Sequence, residues 1–268
     1  MPHARIAAVQ MVSAPEVAPN LAAAARLVAQ AAGDGADLVA LPEYFCILGR
    51  HESDKVRVRE RDGSGPIQDA LAGMAQRHRL WLVGGTVPIE CADPARARSA
   101  CLVFDRDGRR VARYDKIHLF TFDAGDERYD EARSIEPGDT PVALDSPFGR
   151  LGLSICYDLR FPELYRSDPP VDVWFVPSAF TATTGAAHWE TLLRARAIEN
   201  LAYVVAPAQG GLHANGRRTH GHTLIAGPWG EVLAEQAEGE GVVIAEIDAN
   251  RLAEVRKSLP VHSNRRLA

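Results

Sequence analysis

Short apolar runs alternate with helix-period segments along almost the whole chain of 268 residues, and this alternation limits the fold more than any other feature. Residues 5–12, 80–87, 150–156, 171–176 and 202–206 read as strands, and 38–41 as a buried strand that stops at Pro42. Residues 20–32 carry Leu21, Ala24, Leu27, Val28 and Ala31 on one helical face, closed by Gly33 and Gly35. Residues 67–78 repeat the pattern through Ile67, Leu71, Met74 and Ala75, and 188–200 form a third helix. A hairpin is predicted from 101–104 and 111–114, because the Asp107-Gly108 step favours a turn with positive φ. A late β block covers 219–226, 231–234 and 242–247, followed by a short helix at 249–257 and a basic tail. Strands outnumber helices and the two interleave throughout. The expectation is one α/β (α+β) domain over residues 1–268, with large sheets covered by helices. Two long polar loops, 49–65 and 121–141, are candidates for function.

Composition removes whole classes of partner. A formal net charge of −5 supplies no basic surface for phosphate neutralisation, so nucleic acid is excluded. No window approaches the roughly 18 apolar residues of a membrane span, and residues 1–12 lack the pattern of a signal peptide. The four cysteines, Cys46, Cys91, Cys101 and Cys156, show no CxxC spacing, which suits a reduced, cytoplasmic protein.

Three strand ends carry reactive residues. Glu43 follows the apolar run Leu38-Val39-Ala40-Leu41 and Pro42. A carboxylate leaving a buried strand is partly desolvated and suited to act as a base, although a solvated turn acid fits the same local sequence. Lys116 ends the second hairpin strand. Only three of the 30 basic residues are lysines, and a compact ammonium fits a small site that a planar guanidinium does not. Cys156 ends the strand through Leu151, Leu153 and Ile155, after which the chain turns polar. A thiol at such a corner is reachable and near backbone amides, whereas Cys46, Cys91 and Cys101 read as packing or loop thiols. No G-x-S-x-G elbow is present, since Gly152-Leu153-Ser154 lacks the following glycine, and Gly84-Gly85 opens no phosphate loop. His220 and His222 can share a strand face, but no third ligand stands at a telling spacing, so no metal is expected. His188-Trp189-Glu190 reads as a helix start, with Glu190 favouring the N-terminal dipole.

This trio, in this order, resembles the nitrilase (carbon–nitrogen hydrolase) superfamily, whose Glu-Lys-Cys triad falls on Glu43, Lys116 and Cys156. A further family Glu falls on Glu131, in Tyr129-Asp130-Glu131 ahead of Pro137-Gly138. The likeness runs from about residue 6 to about residue 260 and is strongest to the Nit branch, through 177–180, 184–190, 193–199 and Gly221-His222. The resemblance implies an αββα four-layer sandwich of two mixed β-sheets, paired into a homodimer. It also implies a cofactor-free amidase that works through a thioester and acts on amides of small 2-oxo acids, either deaminated glutathione or an ω-amide such as 2-oxoglutaramate. The stretch 208–213 is more similar to the deaminated glutathione group. Lys116 and the Tyr157 N–H would hold the oxyanion, and Arg160, Phe180 and Thr181 would contact substrate. The rivals are an N-carbamoyl amino acid or aliphatic amide hydrolase on the same triad, and an idle member acting as a binding partner. The segment 166–171 is shorter than the branch pattern, and Pro169-Pro170 forbids helix continuation, so the helix after Cys156 is expected to be clipped.

Overall fold

The apolar runs pair into two mixed sheets, each built around a parallel centre. The computed structural model describes residues 3–125, 127–166 and 169–266. The chain begins with β1 (Ala4–Gln10), α1 (Val17–Gly33), β2 (Leu38–Ala40), α2 (Asp54–Arg57), α3 (Pro66–His78) and β3 (Trp81–Val83). Next come β4 (Val87–Ile89), β5 (Arg98–Phe104), β6 (Arg110–Asp115) and a ribbon of β7 (Thr121–Ala124) and β8 (Glu127–Asp130). The second half contains β9 (Val142–Ser146), β10 (Gly149–Leu153), β11 (Val173–Phe175), α4 (Ala182–Asn200) and β12 (Tyr203–Ala206). It closes with β13 (Gly210–Leu212), β14 (Arg218–His220), β15 (Thr223–Ala226), β16 (Val232–Gln236), β17 (Gly241–Ile247), α5 (Ala249–Ser258) and α6 (Val261–Asn264).

The first sheet has seven strands in the order β17-β1-β2-β3-β5-β4, with β6 also on β5. The second has six, in the order β16-β15-β12-β11-β10-β9. Strands β1, β2 and β3 run parallel, as do β10, β11 and β12. Parallel neighbours need crossovers, and α1, α3 and α4 supply three of them. Side-chain alternation then sorts the layers. Ile6, Ala8, Leu38, Ala40 and Val83 share a core with Leu151, Leu153, Val173 and Phe175 of the other sheet. Ala7, Val9, Val39 and Leu82 point the other way, onto Leu27, Val28 and Ala31 of α1 and Ile67, Leu71 and Met74 of α3. Trp189, Leu193 and Ala197 of α4 join the core from the outer face of the second sheet. The result is the helix–sheet–sheet–helix sandwich.

Several sequence expectations need correction. Helix α4 starts at Ala182, where Thr181 caps it by accepting from the Thr184 N–H at 3.2 Å. His188, Trp189 and Glu190 therefore lie inside the helix. Glu190 pairs with Arg194 one turn on at 3.0 Å and caps nothing. The expected strand 80–87 breaks at Gly84-Gly85-Thr86, and 219–226 breaks at Gly221 and His222, both with positive φ. The polar loops hold structure: α2 lies in the first, and the β7–β8 ribbon and a 3-10 turn, Glu131–Arg133, in the second. After Cys156 the chain makes two 3-10 turns, Cys156–Arg160 and Pro162–Tyr165, in place of an α-helix. Ser167 and Asp168, within the shortened segment, lie outside the described residues, as do Asp126 of the second polar loop, Leu267 and Ala268 of the tail, and Met1 and Pro2.

Candidate active site

Strands β2 and β10, one from each sheet, end in loops that carry Glu43 and Cys156 to the same cavity. Past β2, Leu41 keeps the ladder by donating to Val83 O at 2.9 Å, and Pro42 then ends it. Tyr44 takes a left-handed φ of 57°, its N–H held by Thr86 Oγ1 at 2.9 Å. Gly85 makes this turn possible. Its φ is +57°, and a Cβ there would stand 2.2 Å from Pro42 O, so only glycine lets the two loops pass. Gln209, between β12 and β13, donates to the Glu43 carbonyl at 3.0 Å and fixes the turn from the second half of the chain.

Lys116 lies just past β6 and points inward. Its Nζ meets Glu43 Oε1 at 2.8 Å and both oxygens of Glu131, at 3.0 and 2.8 Å. All three are almost fully buried: Glu43 and Lys116 at 1% exposure and Glu131 at 5%. Burial alone disfavours the ammonium, but the charges of Glu131 and Glu43 outweigh it and hold the Lys116 pKa well above the ordinary value. For Glu131, burial pushes the carboxyl up, yet Lys116 and then Lys55 prevail and hold it low. Glu131 also accepts from Tyr44 OH and from Phe120 N–H, each at 2.8 Å. Burial, with the charges of Glu131 and Glu43, holds Tyr44 well above the usual phenol range, so it remains a donor.

Cys156 adopts φ 50°, a left-handed conformation that costs a non-glycine residue of order 1 kcal/mol or more. Asp158 holds this corner. Its buried carboxylate accepts from Ile155 N–H (2.8 Å), Tyr114 OH (2.7 Å) and His118 N–H (2.9 Å), and also meets His118 Nδ1 (2.7 Å). One carboxylate thus ties the cysteine turn to both sides of Lys116. Burial first, and the negative Glu43 second, push the Cys156 thiol well up, with Lys116 opposing. Cys156 N–H donates to Pro177 O at 2.9 Å and Asp158 N–H to Ile155 O at 3.0 Å. The Tyr157 N–H between them sits in the first turn of a 3-10 helix, where no intrahelical acceptor exists.

These groups floor one cavity whose walls include Phe120, Tyr157, Arg160, Phe180, Thr181 and Arg217. Every predicted site residue therefore lines one cavity. Phe180 packs at 4.8 Å from Trp189, and the Thr181 hydroxyl is engaged with Thr184. Arg160 meets His188 Nδ1 at 3.2 Å and sits 5.7 and 5.4 Å from the Tyr157 and Phe180 rings. It pairs with neither Asp158 nor Glu163. The residues missed from sequence are Tyr44, Lys55, Tyr114, His118, Asp158 and Arg217. Only Lys55 carried a usable signal, because it shares the rarity of Lys116.

His220 and His222 do stack, with ring centroids 4.4 Å apart, and His222 Nδ1 meets Glu235. Burial, then His222, lowers the His220 pKa to about 4. Among the described residues no group of three or more His, Cys, Asp or Glu could hold a metal ion.

Comparison with known proteins adds the following. A carbon–nitrogen hydrolase family model matches residues 5–257. The chain is 45% identical to a protein named deaminated glutathione amidase from Synechocystis sp., over 95% of each. It is 36% identical to the omega-amidase NIT2 of Xenopus tropicalis, over 98% of this chain and 95% of that one. The crystal structure of Saccharomyces cerevisiae Nit3, a member of branch 10 of the nitrilase superfamily, superposes with a TM-score of 0.89 at 28% identity, covering 99% and 97% of the two chains.

Proposed function

Because the chain belongs to the carbon–nitrogen hydrolase family and its relatives are named amidases, we propose that it is a cysteine-dependent amidase acting on a small 2-oxo acid amide. The observation that carries this is Lys116 Nζ held 2.8 Å from Glu43 beside the Cys156 thiol at the floor of one cavity. Glu43 takes the thiol proton, and Sγ attacks the amide carbon. The carbonyl oxygen gains the charge and is met by Lys116 Nζ and the Tyr157 N–H. Donors of this kind contribute about 3–4 kcal/mol each. Collapse breaks the C–N bond, and the amine leaves with the proton from Glu43. A thioester remains on Cys156. Water gives a proton to Glu43, attacks the thioester, and releases the acid, while the proton returns to sulfur. Glu131 touches no reacting atom. It clamps Lys116 with both oxygens and keeps it charged and in place.

Deaminated glutathione is the substrate we favour, with 2-oxoglutaramate second, on the strength of the names of the amidase relatives. Arg160 would bind the carboxylate of the 2-oxo acid, which two buried glutamates would otherwise repel. The test is a panel of these two compounds, a neutral aliphatic amide and an N-carbamoyl amino acid. Arg160→Met should lower kcat/KM for the acidic substrates at least about tenfold more than for the neutral amide, through KM. Equal losses on all, with a lower melting temperature, would leave Arg160 a structural brace.

The same reading includes a cytoplasmic homodimer. The turn Pro162–Tyr165 and helix α6 adjoin around Glu199 and Asn200 and form the candidate interface. Sedimentation at micromolar protein should give a dimer, and a monomer there would end this part of the proposal.

A further inference from the structure

Arg160 is held on the cavity wall by neutral groups. Its Nη1 meets Nδ1 of His188 at 3.2 Å, and its guanidinium lies 5.7 and 5.4 Å from the Tyr157 and Phe180 rings. Among the described residues no carboxylate pairs with it. A guanidinium has donors and no acceptor, so the contact needs Nδ1 as the acceptor: a neutral imidazole with its proton on Nε2. The scaffold fixes this meeting. Helix α4 starts beside the cavity, where Thr181 and Thr184 line it, and His188 follows Thr184 by one turn on the same face. Arg196 of α4, itself 5% exposed, donates from Nε and Nη2 to Leu159 O at 3.0 and 2.8 Å, which ties the helix to the turn that carries Arg160. Gly185 lets α4 rest on β14, since a Cβ there would stand 2.3 Å from His220 Cβ, and Trp189 Nε1 donates to His222 O at 2.7 Å.

Ring contacts attract the charge but set no direction in the plane of the fork, whereas a hydrogen bond does. With Nη1 on His188, Nε and Nη2 remain, and this edge offers two parallel donors of the kind that a carboxylate meets bidentately. A carboxylate at residue 188 would orient the fork equally well, but it would also neutralise the cation and compete with the substrate. A neutral acceptor orients the fork and leaves its charge free. We propose that His188 is a positioning residue for substrate binding: its imidazole turns Arg160 so that the Nε–Nη2 edge meets the substrate carboxylate. This role rests on the assignment of Arg160 above and goes beyond it, because Arg160 without His188 keeps its charge and loses its direction.

Steady-state kinetics on deaminated glutathione and on 2-oxoglutaramate test this in the full chain. His188→Leu should raise KM at least about fivefold with kcat little changed, because the charge remains and only its direction is lost. His188→Asn offers Oδ1 as an acceptor close to where Nδ1 stands, and its KM should stay within about twofold of wild type. His188→Asp should raise KM more than His188→Leu does, since it also takes up the charge. In an Arg160→Met background His188→Leu should change KM no further, as expected of two groups that act through one contact. A His188→Leu variant with the wild-type KM, an Asn variant as impaired as the Leu one, or an equal loss with and without Arg160 overturns the positioning role and leaves the assignment of Arg160 standing. If Arg160→Met itself leaves KM unchanged, the assignment of Arg160 falls and that of His188 falls with it. A wild type that cleaves neither compound ends both.

Discussion

Replacing Cys156 with alanine should lower kcat by at least about 10⁵-fold while the protein stays folded, because the covalent step has no second nucleophile. Cys46 and Cys101 are buried in the apolar core, where burial pushes both thiols up, Cys101 to about 12. Cys91 lies outside the cavity. The left-handed backbone at residue 156 strains alanine no more than cysteine, and the Asp158 hydrogen bonds to the turn remain. The melting temperature should therefore change little. Acid-quenched wild-type enzyme should carry an acyl mass on the peptide that contains Cys156, and the variant should carry none. A variant that keeps more than about a thousandth of the wild-type kcat, a loss under roughly 4 kcal/mol, would remove Cys156 from the chemistry.

Lys116 should separate charge from shape. Lys116→Met leaves two carboxylates buried against each other with no cation between them. Breaking a buried pair in this way costs about 3–5 kcal/mol, so the melting temperature should fall by roughly 10 °C. Lys116→Arg keeps the charge but places a planar fork where a point donor fits between Glu43 and two oxygens of Glu131. Its kcat should fall more than about tenfold. Retention above a tenth would mean that Lys116 does not hold the oxyanion. The stabilisation also has a pH window. Glu131 is held below its ordinary 4.5, so its contribution is present above that pH and is lost as pH falls through the lower folded value. Lys116 is held above its ordinary 10.5, so its contribution is present below that pH and is lost as pH rises through the higher folded value. In Lys116→Met the unpaired buried carboxylates take up a proton at higher pH than Glu131 of the wild type does, so the stability gap between the two should narrow as pH falls from neutral through the acid range, and narrow again above pH 10.5.

The sequence by itself marked the three positions that we propose react, and it determined the class of fold. Glu43 and Cys156 each end an apolar run and Lys116 ends a hairpin strand, and that is a local signal: a strand stops, and a polar side chain is left at the sheet margin. Glu131 was legible only by likeness to a known family, because nothing around Tyr129 and Asp130 marks it. Helix α1 was legible because its apolar stripe and closing glycines are local as well. The start of α4 was not, since the stretch 182–187 has no apolar stripe, and its cap, Thr181, is defined by a hydrogen bond that forms only in the folded chain. Tertiary structure alone decided which strands share a sheet, because periodicity reports burial and not partners. It also decided the supports of the site. Asp158 joins Tyr114 and His118 across 44 and 40 residues, and Gly85 owes its identity to the carbonyl of Pro42. It set the use of the arginines too, since Arg160 and Arg217 are ordinary members of an arginine-rich chain until the fold places both on one cavity and, among the described residues, gives neither a carboxylate partner. The physical reason is common to all of these: a strand end is written in neighbouring residues, whereas a buried charge acquires its meaning from groups that only folding brings within hydrogen-bond distance.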